Sequence, residues 1–110
     1  MIDFLYDGSF SGYLTAIFYA YSEKEKVQIL KEKTYSPFLL STPRFIPTEE
    51  DKAERVSDSV ISKLSFTTLD NLYNLFLSEE EGADTLGLEY LKLCYHYGDS
   101  INLAKNNDCI

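Results

Sequence analysis

The chain has 110 residues, of which 45% are hydrophobic and 25% charged, and its formal net charge is −8. This length fits one domain with one modest core, and the composition lacks the low hydrophobicity of disordered chains. An acidic surface repels phosphate backbones, which disfavours binding of nucleic acid by this domain on its own. Two cysteines, Cys94 and Cys109, are too few for a disulfide framework. We therefore expect a cytoplasmic protein that does not cross a membrane.

The chain opens with a short apolar run, residues 2–6, whose pattern favours a β-strand. Asp7, Gly8 and Ser9 follow, and these residue types supply a tight turn and a helix N-cap. Apolar residues then recur at spacings of three and four as far as about Glu23, which predicts an amphipathic helix. Gly12 lies inside this helix at a cost of about 1 kcal/mol relative to Ala. Its missing side chain is expected to let another element approach closely.

A short, half-exposed strand is predicted within residues 26–33, where apolar and polar residues alternate, and an extension of the preceding helix is the alternative. Residues 35–47 contain three prolines, so we expect a loop there with one short extended piece around Phe45 and Ile46. Basic residues in this half of the chain are interleaved with glutamates, which favours a solvated surface over a phosphate-binding track. They are Lys24, Lys26, Lys31 and Lys33.

Three helices are predicted in the second half of the chain. The first starts at Thr48, followed by acidic residues that favour a helix N-terminus. Ser65 or Thr67 caps the second helix. Its inward residues are predicted to be Leu69, Leu72, Tyr73, Phe76 and Leu77. The third helix ends at Gly98. Its main apolar face is predicted to comprise Leu86, Tyr90, Leu93, Cys94 and Tyr97, widened by Leu88, Leu91 and Tyr95.

These elements predict an α+β fold, mostly helical, with about four helices and a small two- or three-stranded sheet near the N-terminal half. We expect one globular domain over residues 1–98 and a frayed or truncated tail over residues 99–110. The aromatic residues that the periodicity does not place are Tyr19, Tyr35 and Phe38, and they are candidates for a partner-binding surface.

No complete catalytic site is apparent, and the sequence predicts no metal or cofactor. His96 and Cys94 are two positions apart on a helix and so do not share a face. Asp7 has two interpretations: a turn or cap residue, or a polar group that lines a ligand site together with Gly8 and Ser9. Arg55 is either half of a surface ion pair, with Asp51 for example, or a phosphate contact. The weak candidate ligand-binding set is therefore Asp7, Gly8, Ser9 and Arg55.

Several segments resemble a known family in the family's order. The opening segment Tyr6-Asp7-Gly8-Ser9-Phe10, with Gly12 and Leu14-Thr15-Ala16-Ile17-Phe18, is similar to the start of the bacterial DUF4130 family. Further similar segments are Ala53-Glu54-Arg55-Val56, Lys63-Leu64-Ser65, Leu72-Tyr73, Phe76-Leu77-Ser78-Glu79 and Tyr90-Leu91-Lys92-Leu93. Members of the family are labelled as probable DNA metabolism proteins.

The resemblance implies an association with a radical S-adenosylmethionine protein, and longer relatives carry a uracil-DNA glycosylase-like domain after this one. Family members continue beyond the equivalent of Gly98 through helices with basic residues, so nucleic-acid contact is expected only in a full-length form. We therefore expect an accessory or N-terminal domain of a DNA metabolism or repair protein that binds a partner or an adjoining domain. The alternatives are a nucleotide- or DNA-binding enzyme domain that uses the Tyr6-Asp7-Gly8-Ser9 turn, and plain binding of single-stranded DNA.

Overall fold

The structure is a computed structural model that describes residues 2–35 and 42–97. In chain order its elements are β1 (Ile2–Tyr6), α1 (Phe10–Ala20), β2 (Val27–Lys31), a single 3-10 turn (Glu32–Thr34), β3 (Thr42–Phe45), α2 (Glu50–Lys63), α3 (Phe66–Ser78) and α4 (Ala83–Tyr97). The expected α+β fold, with four helices and a small sheet near the N-terminus, is confirmed for these residues. The expected tail over 99–110 and Phe38 lie outside the described residues. The chain divides into two compact units, Met1–Val56 and Ser57–Ile110.

The sheet of the first unit has the strand order β2-β1-β3, and β1 runs parallel to both neighbours. Every residue of β1 is buried, as is typical of a central parallel strand. The ring of Tyr6 in β1 lies 5.7 Å from that of Tyr13 in α1. One face of β1 therefore packs against the helix that connects it to β2, which is the usual arrangement of a β-α-β unit.

Pro43 lies within β3 although proline has no backbone N–H to give to a sheet. The N–H of Ile46, just past β3, donates to the carbonyl of Leu5 at 2.7 Å. Because alternate residues of a strand point their N–H groups to the same side, the nitrogen of Pro43 faces the open edge of the sheet. The edge position of β3 thus tolerates the proline, and the extended piece expected near Phe45 is β3 itself.

In the second unit, α3 begins at the N-cap Ser65, whose side chain accepts a hydrogen bond from the N–H of Thr68 at 3.1 Å. Its buried residues are Thr68, Leu72 and Phe76. The prediction that Tyr73 and Leu77 point inward was wrong, since they are 40% and 52% exposed. Apolar residues occupy more than half of the circumference of α3, so periodicity alone could not select the face that packs.

The predicted main face of α4 was also partly wrong. Leu86, Leu93 and Tyr97 are 56%, 46% and 56% exposed, whereas Leu88 and Leu91 are completely buried. The small residues Ala83 and Gly87 lie on the buried side. Two hydrogen bonds accompany this orientation: Asn71 of α3 donates to the Tyr90 hydroxyl at 3.0 Å, and the hydroxyls of Ser59 in α2 and Tyr95 are 2.7 Å apart.

Cys94 is completely buried and disulfide-bonded, which the count of two cysteines did not lead us to expect.

None of the helices in residues 2–35 and 42–97 has the length and apolarity needed to span a membrane.

Candidate functional site

Asp7, Gly8 and Ser9 connect the carboxyl end of β1 to the start of α1. The two neighbours of β1, β2 and β3, lie on its opposite sides. In open parallel sheets, ligands bind beyond the carboxyl ends of strands, at the point where the strand order changes direction. The fold therefore places the predicted turn at the position where a ligand site is most often found in such a sheet.

The turn has the geometry expected from its residues. Gly8 has a φ of 95°, which a residue with a side chain rarely adopts. Ser9 is extended, and its hydroxyl accepts a hydrogen bond from the N–H of Gly12 at 3.0 Å, so Ser9 is the N-cap of α1. The strand thus turns into the helix within three residues.

The carboxylate of Asp7 accepts three hydrogen bonds inside the first unit. Its Oδ1 accepts from the N–H of Ser9 at 2.9 Å and from the Ser9 hydroxyl at 2.7 Å. Its Oδ2 accepts from the hydroxyl of Thr48, at 2.9 Å. Donation by Ser9, and to a smaller extent by Thr48, lowers the pKa of Asp7 below its usual value of 3.8. Asp7 is therefore a charged group that joins the turn to the segment after β3.

Gly12 makes room for this cluster, as its sequence position suggested. A Cβ atom at position 12 would overlap Oδ1 of Asp7 and lie 2.9 Å from the Oγ1 of Thr48 and 3.1 Å from the Oγ of Ser9. A Cβ atom does not normally approach other atoms so closely. The prediction that another element approaches α1 at Gly12 is confirmed, and the elements are the turn and the residue before α2.

Thr48 was expected to begin the next helix, but α2 starts at Glu50. The carbonyl of Glu49 is the first to accept helical hydrogen bonds in α2. Its donors are the N–H groups of Lys52 and Ala53. The hydroxyl of Thr48 instead donates to Asp7. A capping signal in the sequence thus marked the start of α2 to within two residues, but the threonine serves the neighbouring turn.

A row of polar side chains on α1, Ser11, Thr15 and Tyr19, contacts the segment that begins α2. The hydroxyl of Thr15, which is completely buried, accepts from the N–H of Glu49 at 3.1 Å. The hydroxyl of Tyr19 donates to both carboxylate oxygens of Glu49, at 3.0 and 2.9 Å. This carboxylate raises the pKa of Tyr19 above its usual value of 10.0. Ser11 donates to Glu50 at 3.2 Å.

This row holds Glu49 and Glu50, the residues directly after Thr48, against α1, and it was not among the residues predicted to form the site. The signal was present, because the three polar residues recur every four positions on an otherwise apolar helix. Tyr19, a candidate for a partner surface, is instead half-buried and bonded to Glu49. Tyr35 is also half-buried.

A basic residue lies near the turn, but it is not the arginine that the sequence suggested. Lys31, at the carboxyl end of β2, has its Nζ 5.9 Å from the centre of the Tyr6 ring, and its Cδ lies 4.0 Å from the position of a Cβ on Gly8. Arg55 is exposed on α2 and has no hydrogen bond or ion pair with another described residue. The expected pairing of Arg55 with Asp51 was wrong, because Asp51 pairs with Lys52 at 3.0 Å.

The structure therefore brings together Asp7, Gly8 and Ser9, and adds Thr48 and Lys31, but does not join Arg55 to them. Within the part of the chain that the structure describes, no three His, Cys, Asp or Glu side chains are grouped so that they could hold a metal ion. His96 is exposed, with its ring 4.7 Å from that of Tyr97. The chemistry that the described residues offer at the turn is hydrogen bonding and charge.

No family model, no curated protein and no solved structure matches this chain.

Proposed function

We propose that this chain is an accessory or N-terminal domain of a DNA metabolism or repair protein, and that it acts by binding a protein partner or an adjoining domain. The observation that carries the proposal is the exposure of large apolar side chains on α3 and α4. Phe66 is 68% exposed, Leu77 52% and Leu86 56%. Rows of exposed apolar residues are typical of surfaces that associate with other proteins.

The site at the turn supports the same proposal. Both oxygens of the Asp7 carboxylate accept hydrogen bonds from Ser9 or Thr48. A general base works best when its pKa lies near the working pH, whereas the hydrogen bonds to Asp7 lower its pKa and make it a weaker base. Binding rather than chemistry is thus the role that the described residues favour.

The resemblance of the Tyr6-Asp7-Gly8-Ser9 segment to the DUF4130 family suggests which partner to test. The candidates are a radical S-adenosylmethionine protein and a glycosylase-like domain that follows this one. Contact with DNA would belong to the full-length form, because the chain alone has a net charge of −8.

The test is co-elution of the chain with a radical S-adenosylmethionine protein from the same organism in size-exclusion chromatography. Serine substitutions at the exposed Phe66, Leu77, Leu86 and Leu93 are made one at a time, with the exposed Asn74→Ser as the control. We expect the wild type and the control to co-elute and at least one apolar substitution to weaken the complex. If the wild type does not co-elute at micromolar concentrations, the radical S-adenosylmethionine partner is refuted.

A second candidate function is the binding of a nucleotide at the Asp7 turn. It is favoured by the position of the turn at the carboxyl end of the central strand, between β2 and β3, and by the nearby Lys31. Titration of the ¹⁵N-labelled protein with a nucleoside monophosphate tests it. The expected result is a saturable shift of the amide signals of Gly8 and Ser9 that is lost in Lys31→Gln. Unchanged signals at millimolar nucleotide would exclude this function.

A further inference from the structure

One row of exposed apolar side chains lies on α3. Phe66, Tyr73 and Leu77 are separated by seven and four positions, which places them along one line of a helix. They are 68%, 40% and 52% exposed. At 1.5 Å per residue the row is roughly 16 Å long, or about three turns. We call these three residues the α3 row.

The surroundings of the α3 row are strongly acidic. From Leu64 to Leu91 the sequence contains no lysine or arginine. In the same stretch the exposed acidic residues are Asp70, Glu79, Glu80, Glu81 and Glu89. Asp70 lies beside the row, and the three glutamates follow directly at its C-terminal end. A surface of this kind attracts cations and repels other acidic surfaces.

A second row on α4 offers an internal comparison. Leu86, Leu93 and Tyr97 have the same spacing of seven and four, and they are also exposed. The exposed charged and titratable residues on the helix of this second row are Glu89, Lys92 and His96, so acidic and basic groups are mixed there. The two rows thus have similar apolar surfaces but different charges around them.

We propose that the α3 row is the docking surface for an amphipathic helix with basic flanks. This rests on the proposed function of partner binding and specifies the chemistry of the partner. The apolar ridge of the partner helix covers Phe66, Tyr73 and Leu77, while its lysine or arginine side chains reach Glu79, Glu80 and Glu81. A helix fits because an apolar line about three turns long matches the ridge of a second helix.

The probe is a synthetic amphipathic helix of about 18 residues, made of leucine and lysine, whose binding to the full chain is measured by fluorescence anisotropy. The comparison peptide keeps every leucine and replaces each lysine by glutamate. We expect the lysine peptide to bind with an affinity that falls as salt increases, and the glutamate peptide to bind at least about tenfold more weakly.

Variants of the chain locate the binding surface, and circular dichroism confirms that each one folds. Phe66→Ser with Leu77→Ser is expected to weaken binding of the lysine peptide by about tenfold or more. Glu80→Gln with Glu81→Gln is expected to reduce the salt dependence. The comparison variant Leu86→Ser with Leu93→Ser, on the second row, should weaken binding of the lysine peptide less than the α3 variant does.

Equal binding of the two peptides, or an equal loss in the α3 and α4 variants, overturns the proposal. So does failure of the wild type to bind the lysine peptide. These results concern the surface alone. Failure of the radical S-adenosylmethionine protein to co-elute with the wild type instead overturns the proposed partner, so the two failures are distinguishable.

Discussion

The hydroxyl of Thr48 donates a hydrogen bond to Oδ2 of Asp7 at 2.9 Å. Asp7 follows β1 and Thr48 follows β3, and these two strands are neighbours in the sheet. One bond therefore ties together the carboxyl ends of two parallel strands. The same carboxylate holds Ser9, which caps α1. Asp7 organises the end of the sheet from which both α1 and α2 begin.

Asp7→Ala is predicted to lower the free energy of unfolding by about 1 to 2 kcal/mol, because the change removes the acceptor for Ser9 and Thr48. The measurement is urea unfolding followed by circular dichroism. Glu54→Ala is the control, since Glu54 is exposed on α2 and has no hydrogen bond or ion pair within the described chain. That control should change stability by less than about 0.5 kcal/mol. Equal effects of the two substitutions would show that the bonds of Asp7 contribute nothing.

The lowered pKa of Asp7 predicts a loss of stability in acid. Donation by Ser9 and Thr48 stabilises the charged carboxylate in the folded state, so its pKa is below the usual 3.8. A group with a lowered folded pKa contributes stability above its unfolded pKa, and this contribution disappears as the pH falls through the folded pKa. Asp7→Asn removes the titrating group. The difference in unfolding free energy between wild type and Asp7→Asn should therefore shrink between about pH 5 and about pH 2. A difference that stays constant over this range would contradict the prediction.

Much of the fold could be predicted from the sequence, because its elements carry local signals. Proline and glycine residues mark turns and loops, and the capping residue Ser65 marks a helix start that the structure confirms. The buried faces of α3 and α4 were harder to predict. Both helices carry apolar residues on more than one side, and hydrogen bonds such as that between Asn71 and Tyr90 help to determine which side is buried. Such bonds join residues that are distant in sequence, so periodicity does not reveal them.

The candidate site was likewise only partly predictable from the sequence. The residues of the turn itself, Asp7, Gly8 and Ser9, could be identified because a turn depends on neighbours in sequence. Thr48 and Lys31 reach the turn only because the strand order is β2-β1-β3. The sequence did not specify that order, so the more conspicuous Arg55 was chosen as the basic partner.

Gly12→Ala is predicted to destabilise the protein despite the better helix propensity of alanine. The propensity gain is about 1 kcal/mol. The added Cβ would overlap Asp7 and lie 2.9 Å from the Oγ1 of Thr48, so the cluster must move. Overpacking of this kind typically costs about 1 to 3 kcal/mol, and breaking the Thr48 bond adds to that cost. Thermal unfolding measures the result. A Gly12→Ala protein more stable than the wild type would mean that Asp7, Ser9 and Thr48 move to admit the Cβ without losing their hydrogen bonds.

A double-mutant cycle assigns the cause of this effect. With Asp7→Ala in place, the atom that the new Cβ would overlap is absent. Gly12→Ala should then be less costly than in the wild type, with a coupling of about 0.5 kcal/mol or more. If the two substitutions are additive, the cost of alanine at position 12 arises elsewhere in α1.

Ser65→Ala is predicted to destabilise α3, whereas Thr67→Ala should have little effect. The sequence allowed either residue to cap the helix, and the structure assigns the role to Ser65, which accepts a hydrogen bond from the N–H of Thr68 at 3.1 Å. Loss of an N-cap side chain costs about 1 kcal/mol. Thr67 is exposed within the first turn of α3, and alanine has the better helix propensity there. Urea unfolding of both variants compares the two positions directly. A larger loss in Thr67→Ala than in Ser65→Ala would contradict the assigned helix start.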